Sequence, residues 1–132
     1  MVAYSFAARF MPAIVEKTKR QTIRHRRPGL LKVGGELQLY FGMRTKFCRL
    51  IGTAQCLAVN PVWIRPFDSR VVFPFDQEVL SSTADLDRFA VEDGFADWRD
   101  MSLFWRERHR GVDLFEGELI QWGDTFTPPA KG

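Results

Sequence analysis

The stretch Lys17-Thr-Lys-Arg-Gln-Thr-Ile-Arg24 predicts the strand around which the rest of the fold is arranged. In an extended backbone, successive side chains point to opposite faces. Ile23 then lies on the inner face, and basic residues dominate the face turned to solvent. That outer face carries Arg20, Thr22, Arg24 and Arg26.

Turn residues after this strand predict that the chain folds back into further strands. Pro28-Gly29 and Gly34-Gly35 are turn sequences, and alternating apolar residues over positions 37–41 follow them, closed by Gly42. Gly52 marks a bulge or a bend within a longer strand. Strands are predicted over residues 3–6, 21–24, 37–41, 47–59, 62–66, 70–73 and 114–122.

Helical patterns lie at the start of the chain and between the last two strands. A short helix around Ile14 is expected to end near Lys17. Ser82 or Thr83 can cap a helix over residues 85–93, and a second helix starts at about Asp97. The elements together predict an α+β fold, with a PUA-like small β-barrel or a strongly curved mixed sheet flanked by two to three helices.

Chain length and composition favour one folded unit. With 132 residues, 45% hydrophobic and 14% aromatic, the chain is long enough to bury one core. We expect a single domain over residues 4–123 and a tail over residues 124–132.

The sequence contains no apolar run near the roughly 20 residues that a membrane helix needs. Tyr4, Ser5 and Arg9 interrupt the segment in which a signal peptide would be apolar. We therefore expect a cytoplasmic protein without a membrane partner. Cys48 and Cys56 both lie on the strand predicted over residues 47–59, which places them too far apart for a disulfide, so both thiols are expected to be reduced. The pattern gives no indication of oligomeric state.

Positive charge is concentrated in one segment. Residues 17–49 hold ten Lys or Arg and the single acid Glu36, a local charge of +9, which leaves −6 for the rest of a chain whose net charge is +3. Such asymmetry attracts a polyanion to one region, and nucleic acid is the first candidate partner. A solvated basic hairpin is the alternative interpretation.

Lys19 and Thr22 are the candidate catalytic pair. A lysine crowded by cations or partly desolvated loses proton affinity and can act as a base near neutral pH, with Thr22 as its nucleophile. Glu92 and Asp93, at the end of a predicted helix, could supply an acid that orients Lys19. The alternative is that all four are ordinary surface residues.

Cofactor and metal chemistry find little support in the sequence. His25, His109, Cys48 and Cys56 lack the paired spacing of a zinc site. Gly34-Gly35 is a turn and not a phosphate-binding glycine loop. We expect neither a metal nor a cofactor.

Taken together, several segments resemble the ASCH domain family. They are Lys19-Arg-Gln-Thr-Ile-Arg24, Val33-Gly-Gly-Glu36, Gly42-Met-Arg-Thr45, the segment from Ala90 to Phe95, and Phe115-Glu-Gly-Glu-Leu-Ile-Gln-Trp122. The resemblance implies a PUA-like fold with a cleft and a role with RNA. Some small members are amidohydrolases that deacetylate N4-acetylcytidine with a Lys, a Thr three residues later and a Glu at a helix end.

Under this resemblance, Lys19 and Thr22 take the first two roles, and Asp93, one methylene shorter than Glu, takes the third. Lys19 and Thr22 would point to opposite faces of an ideal strand, so the pairing requires Lys19 to lie before the strand or at a bulge.

Four functions are consistent with these residues. The first is the amidohydrolase, and the second is a non-catalytic RNA-binding module. A ribonuclease using the same cleft and an interaction protein that binds an acidic partner are the others. The expected partner is RNA or a modified nucleoside, and the phosphate- or substrate-binding candidates are Arg20, Arg24, Arg26, Arg27 and Arg44.

Overall fold

Eight strands and three α-helices make up the computed structural model, which describes residues 2–27, 29 and 31–130. A 3-10 turn, Ala8–Phe10, precedes the first helix. The helices are α1 (Met11–Val15), α2 (Thr83–Glu92) and α3 (Trp98–Arg108). The strands are β1 (Val2–Phe6), β2 (Gln21–Arg24), β3 (Glu36–Phe41), β4 (Arg49–Gln55), β5 (Ala58–Arg65), β6 (Arg70–Phe73), β7 (Glu78–Leu80) and β8 (Phe115–Gln121). The predicted α+β class is confirmed.

The strands form two sheets and, within the described part of the chain, no closed barrel. The first sheet is mixed and has the order β1-β3-β4, with β1 parallel and β4 antiparallel to β3. The second has the order β2-β8-β5-β6-β7, and all of its pairs are antiparallel. The strands are thus divided between one mixed and one antiparallel sheet, and the mixed sheet is the one of the two predicted arrangements that is present.

The chain passes from one sheet to the other at Cys56 and Leu57, so the prediction of one strand over residues 47–59 is wrong. Cys56 is hydrogen-bonded through its main chain to the Gly34-Gly35 turn, whereas Leu57 N donates to Gln121 O on β8 at 2.8 Å. The change of hydrogen-bond partner ends β4 and starts β5. The strand predicted over residues 62–66 is the second half of β5, and β7 is not predicted.

A bulge lies beside Gly52, as its position in β4 predicts. Leu39 pairs with Gly52 and Tyr40 with Leu50, so Ile51 is the extra residue on β4. A Cβ atom on Gly52 would lie 2.4 Å from the main-chain oxygen of Thr127. Glycine is therefore required where the carboxyl-terminal segment crosses β4.

That segment packs as part of the fold where a tail is predicted from residue 124. Phe126 is 4% exposed and belongs to the core. Thr127 exchanges two main-chain hydrogen bonds with Thr53, of 2.9 and 2.7 Å. Residues 131 and 132 of the predicted tail lie outside the described residues.

The strand β2 does not expose the basic face that its alternation predicts. Gln21, Thr22 and Ile23 are all buried. The face that carries Thr22 turns toward a cavity instead of solvent, and the Arg24 guanidinium lies over the rings of Tyr4 and Phe6 at 5.1 and 4.8 Å. Both faces of β2 are covered, so the pattern of polar residues marks a site and not a surface.

The two longer helices start as predicted and bring the end of α2 to the start of β2. Ser82 Oγ accepts a hydrogen bond from Asp85 N, and the Asp97 carboxylate accepts one from Asp100 N. Gly94, with φ of +98°, ends α2. Arg20 N then donates to Glu92 O at 2.7 Å, which fixes the helix end against β2. Across the described ranges, no helix is long and apolar enough to cross a membrane.

Candidate active site

A cavity of about 380 Å³ opens where β1, the 3-10 turn, β2, β8 and α3 meet the end of α2. This volume falls within the range of small-molecule pockets. Its walls combine aromatic rings with charged side chains, a lining typical of a binding site. The lining residues are Ser5, Phe6, Ala7, Phe10, Lys19, Thr22, Ile23, Arg24, His25, Asp93, Phe95, Phe104, Trp105, Arg108, His109 and Phe115.

Lys19 enters this cavity from the segment between α1 and β2. The backbone turns sharply at Lys17, which has φ of +65°, and Lys19 N donates to Ala13 O at 2.9 Å. Lys19 thus precedes β2, and the alternation of side chains along a strand does not apply to it. Lys19 and Thr22 can therefore line the same cavity. The side chain is 3% exposed, and its Nζ lies 4.9 Å from the centre of the Phe10 ring.

Asp93 is the C-cap residue of α2 and lies next to Lys19. Lys19 Nζ donates to the main-chain oxygen of Asp93 at 2.5 Å and lies 3.8 Å from Asp93 Oδ1. Gln21 Nε2 also donates to Oδ1, at 3.5 Å. The close contact with Lys19 is therefore made by the carbonyl, with the carboxylate as a more distant counter-charge.

Burial moves the pKa values of this pair toward each other. Loss of solvent lowers the pKa of Lys19 to about 8, against the opposing effect of Asp93, with smaller contributions from Arg24 and Arg9 in the same direction as burial. Burial likewise raises the pKa of Asp93 to about 6, although Lys19 and the Gln21 amide favour its charged form. Near neutral pH, Lys19 is thus able to accept or release a proton.

Thr22 is held by Arg24 and presents its hydroxyl to the cavity. Arg24 Nε donates to Thr22 Oγ1 at 3.0 Å, and Arg24 Nη2 donates to Ser5 O at 2.8 Å. Because Oγ1 accepts this bond, the hydroxyl proton is free to be donated elsewhere. Within the described ranges, the Lys19 and Thr22 side chains are not joined by a hydrogen bond.

An aromatic wall with two imidazoles completes the cavity, and its role is not predicted from the sequence. His109 stacks on Trp105 with ring centres 5.1 Å apart, and His109 and His25 contact Phe115 at 5.0 and 4.9 Å. Arg108 lies over the ring of Phe104. The four-residue spacing of Trp105 and His109 on one helix face is the signal that could have found this wall.

The structure is similar to three solved structures of one protein. Crystal structures of ASCH from Zymomonas mobilis and of one of its mutants each align with a TM-score of 0.54 and 17% identity over 93% of this chain. A second mutant aligns with a TM-score of 0.51 and 15% identity. The chain has the ASCH fold. It spans 66% of the length of the first of these solved chains. The sequence matches no protein-family model and no curated protein.

The ASCH fold brings together Lys19, Thr22 and Asp93, the three residues for which the resemblance implies a catalytic role. All three are at least nine-tenths buried, and all line the cavity. Glu92, the alternative acid, lies on a separate surface groove with Arg20 and Arg88. Asp93, and not Glu92, is therefore the carboxylate that lines the cavity with Lys19 and Thr22.

The five arginines predicted to bind phosphate do not share one surface. Arg24 lines the cavity, whereas Arg20 lies on the groove beside Glu92, and its Nε donates to Lys17 O. Arg26, Arg27 and Arg44 are exposed. Arg27 lies over Tyr4 at 5.2 Å, and the loop of Arg44 is joined to Ser5 by a hydrogen bond from Met43 N.

Metal-binding residues are not grouped in the part of the chain that the structure describes. No set of three or more His, Cys, Asp or Glu side chains there is close enough to hold an ion. Cys48 is exposed, Cys56 is buried, and both thiols are free.

Proposed function

We propose that this protein is an amidohydrolase that removes the acetyl group from N4-acetylcytidine or a closely related acylated nucleoside. The observation that carries the proposal is the buried Lys19, whose pKa is lowered to about 8 and which lines the same cavity as Thr22. A base with a pKa near the working pH beside a hydroxyl nucleophile is the arrangement that acyl transfer requires. The residue types at these positions agree with the ASCH amidohydrolase pattern that the sequence resembles.

The reaction begins with neutral Lys19. Its amine takes the proton of Thr22, and Thr22 Oγ1 attacks the acetyl carbon, so that the carbonyl electron pair moves onto oxygen. The tetrahedral adduct collapses with cleavage of the C–N bond, and the Lys19 ammonium returns its proton to the departing exocyclic nitrogen. Cytidine leaves behind an acetyl-Thr22 ester. Lys19 then takes a proton from water as the water oxygen attacks the ester carbon, and it returns that proton to Thr22 Oγ1 as the C–O bond breaks and acetate is released.

Asp93 has two roles in this scheme. Its main-chain oxygen accepts a hydrogen bond from Lys19 and aims the amine, and its carboxylate stabilises the ammonium form. With a pKa of about 8, roughly a tenth of Lys19 is neutral at pH 7. The counter-charge therefore lets Lys19 act as a base and then as an acid within one turnover.

Arg24 is placed to stabilise negative charge. Its Nε contacts Thr22 Oγ1, the atom on which negative charge develops as the proton leaves. The guanidinium has no carboxylate within 4.0 Å among the described residues, so its charge is not neutralised by an ion pair.

The test is turnover of N4-acetylcytidine by the purified protein, followed as cytidine by chromatography. We expect turnover in the wild type and its loss in Lys19→Ala. Lys17→Ala is the matched control, because Lys17 is exposed and two positions away. Absence of turnover in the wild type, or wild-type turnover in Lys19→Ala, would overturn the proposal.

A non-catalytic RNA-binding module is the second candidate, favoured by the exposed arginines next to the cavity. Arg27 stacks on Tyr4, which neighbours the cavity-lining Ser5, and the loop of Arg44 is bonded to Ser5. This function requires RNA affinity that falls steeply with salt. Filter binding at two salt concentrations measures that dependence, and a gel of the incubated RNA reveals any ribonuclease activity.

A further inference from the structure

The charged residues of the cavity are unbalanced toward positive charge. Among the described residues that line it, Lys19, Arg24 and Arg108 are cations, and Asp93 is the one carboxylate. Neither Arg24 nor Arg108 has a carboxylate within 4.0 Å in the described ranges. Unpaired arginines at a partly enclosed site favour an anionic ligand.

One guanidinium and two imidazoles lie close together in the lining of the cavity. His25 follows β2, Arg108 and His109 lie at the end of α3, and both imidazoles contact Phe115 on β8. We call His25, Arg108 and His109 the imidazole cluster.

The charges around His109 are positive. Partial burial, then His25 and Arg108, lower the pKa of His109, and no carboxylate contributes to this shift. The other charged groups that line the cavity are Lys19, Arg24 and Asp93, and none of them contributes to the shift either. The imidazole cluster therefore has hydrogen-bond donors and positive charge without an acidic partner.

We propose that the imidazole cluster binds a phosphate group, so that the natural substrate of the cavity is a phosphorylated acylnucleoside, either a free nucleotide or a residue within RNA. The inference rests on the proposed function, since it places the base and its acyl group at Lys19 and Thr22. Arg108 and His25 are exposed and His109 is half-buried, and none of the three has a carboxylate within 4.0 Å in the described ranges, so an uncharged nucleoside would bring them no anionic partner. Arginine and protonated imidazole donate charge-assisted hydrogen bonds to phosphate oxygens, and these bonds are stronger than those from neutral donors.

Calorimetric binding to the intact protein tests this inference without relying on turnover. The probes are cytidine and cytidine 5′-monophosphate, measured at the same pH and ionic strength. We expect the nucleotide to bind on the order of tenfold more tightly, because it gains charge-assisted hydrogen bonds. Arg108→Gln should remove most of that preference, and Arg99→Gln, an exposed residue on the same helix and outside the cavity lining, should leave it unchanged.

A short cytidine-containing RNA trinucleotide distinguishes the two sources of phosphate. Tighter binding than the mononucleotide indicates RNA as the ligand, and weaker binding indicates the free nucleotide. The phosphodiester charge is constant between pH 6 and pH 8, whereas imidazole protonates in this range. Phosphate bound beside His109 should favour its protonated form, so trinucleotide affinity should rise toward pH 6, and His109→Gln should reduce that rise.

The outcomes separate this inference from the proposed function. Equal affinity for cytidine and the nucleotide, no binding of either, or equal loss of both in Arg108→Gln would overturn the phosphate site. Turnover of N4-acetylcytidine without a nucleotide preference would leave the hydrolase and refute the phosphate site. A nucleotide preference without turnover would leave the phosphate site and refute the hydrolase.

Discussion

Lys19 and Asp93 are 74 positions apart in the chain, yet the Lys19 ammonium is hydrogen-bonded to the Asp93 main-chain oxygen and lies 3.8 Å from its carboxylate. The contact exists because the end of α2 docks against the start of β2 through the bond from Arg20 N to Glu92 O. Both side chains are buried, so the fold holds two ionisable groups away from water at the point where chemistry is proposed.

Asp93→Asn should move the rising limb of the pH–rate profile to lower pH. The active form of Lys19 is neutral, so kcat/KM should rise through the Lys19 pKa of about 8 in the wild type. The Asp93 carboxylate raises the pKa of Lys19, and its removal must therefore lower that pKa further. A shift of about one pH unit or more is expected from loss of an adjacent charge.

Asp93→Glu is the matched control, because it keeps the charge and lengthens the side chain. A carboxylate closer to Lys19 should move the same limb to higher pH. Profiles that coincide for wild type, Asp93→Asn and Asp93→Glu would show that Lys19 is not the titrating base.

Gly94→Ala should impair activity by displacing Lys19. The added Cβ would lie 2.8 Å from Lys19 Cδ and 3.0 Å from a ring atom of Phe10. Gly94 also has a positive φ, which costs a non-glycine residue on the order of 1 kcal/mol. Gly111→Ala is the control, because Gly111 has φ of +76° and nothing within 4 Å of the added atom.

Both variants should lose a similar backbone contribution to the free energy of unfolding, whereas only Gly94→Ala should lose turnover. Denaturant unfolding and kcat/KM measured on each variant test this. Equal activity in the two variants would contradict the placement of Lys19 against Gly94.

Arg24→Met should lower kcat by on the order of 100-fold, the effect of removing a donor that stabilises developing negative charge. Arg24 contacts Thr22 Oγ1 directly. Arg26→Met removes the same charge two positions later from an exposed side chain and should leave kcat unchanged. If the two variants lose kcat alike, the effect of Arg24 is long-range charge and not contact with Thr22.

Phe126→Ala should destabilise the fold by about 3–5 kcal/mol, the usual cost of removing a buried phenyl ring. Phe126 is 4% exposed and packs where Gly52 lets the chain cross β4. Phe75→Ala, at a side chain that is 83% exposed, should change stability by less than about 0.5 kcal/mol. A small effect at Phe126 in thermal or denaturant unfolding would mean that the carboxyl-terminal segment is dispensable.

Much of the fold can be predicted from local patterns in the sequence, and each wrong prediction has a physical cause. The cap at Ser82 and the start of the next helix at Asp97 depend on neighbours within a few residues, and both are confirmed. Polar residues alternate with apolar ones along a strand in the same way whether the polar face meets solvent or a polar cavity. Thr22 and Arg24 are therefore wrongly predicted to be exposed. The break at Cys56–Leu57 depends on a distant partner, Gln121, and has no local signal.

The candidate site, like the fold, is predicted only in part from the sequence. The resemblance selects Lys19, Thr22 and Asp93, and the structure brings them to one cavity. The imidazole cluster joins the ends of β2 and α3, so its members become neighbours only in the folded chain. Its nearest sequence signal, the spacing of Trp105 and His109, is also typical of an ordinary core helix face.

The most direct test is the rate of N4-acetylcytidine hydrolysis by the wild type, Thr22→Ser and Thr22→Ala at one pH near 8, with unfolding curves for all three. We predict turnover by the wild type, reduced but measurable turnover by Thr22→Ser, which keeps a hydroxyl, and none by a folded Thr22→Ala. Acetylation of the Thr22 peptide in rapidly quenched wild-type samples, found by mass spectrometry, would accompany this result. Turnover by Thr22→Ala at the wild-type rate would contradict the account, as would no turnover by the wild type.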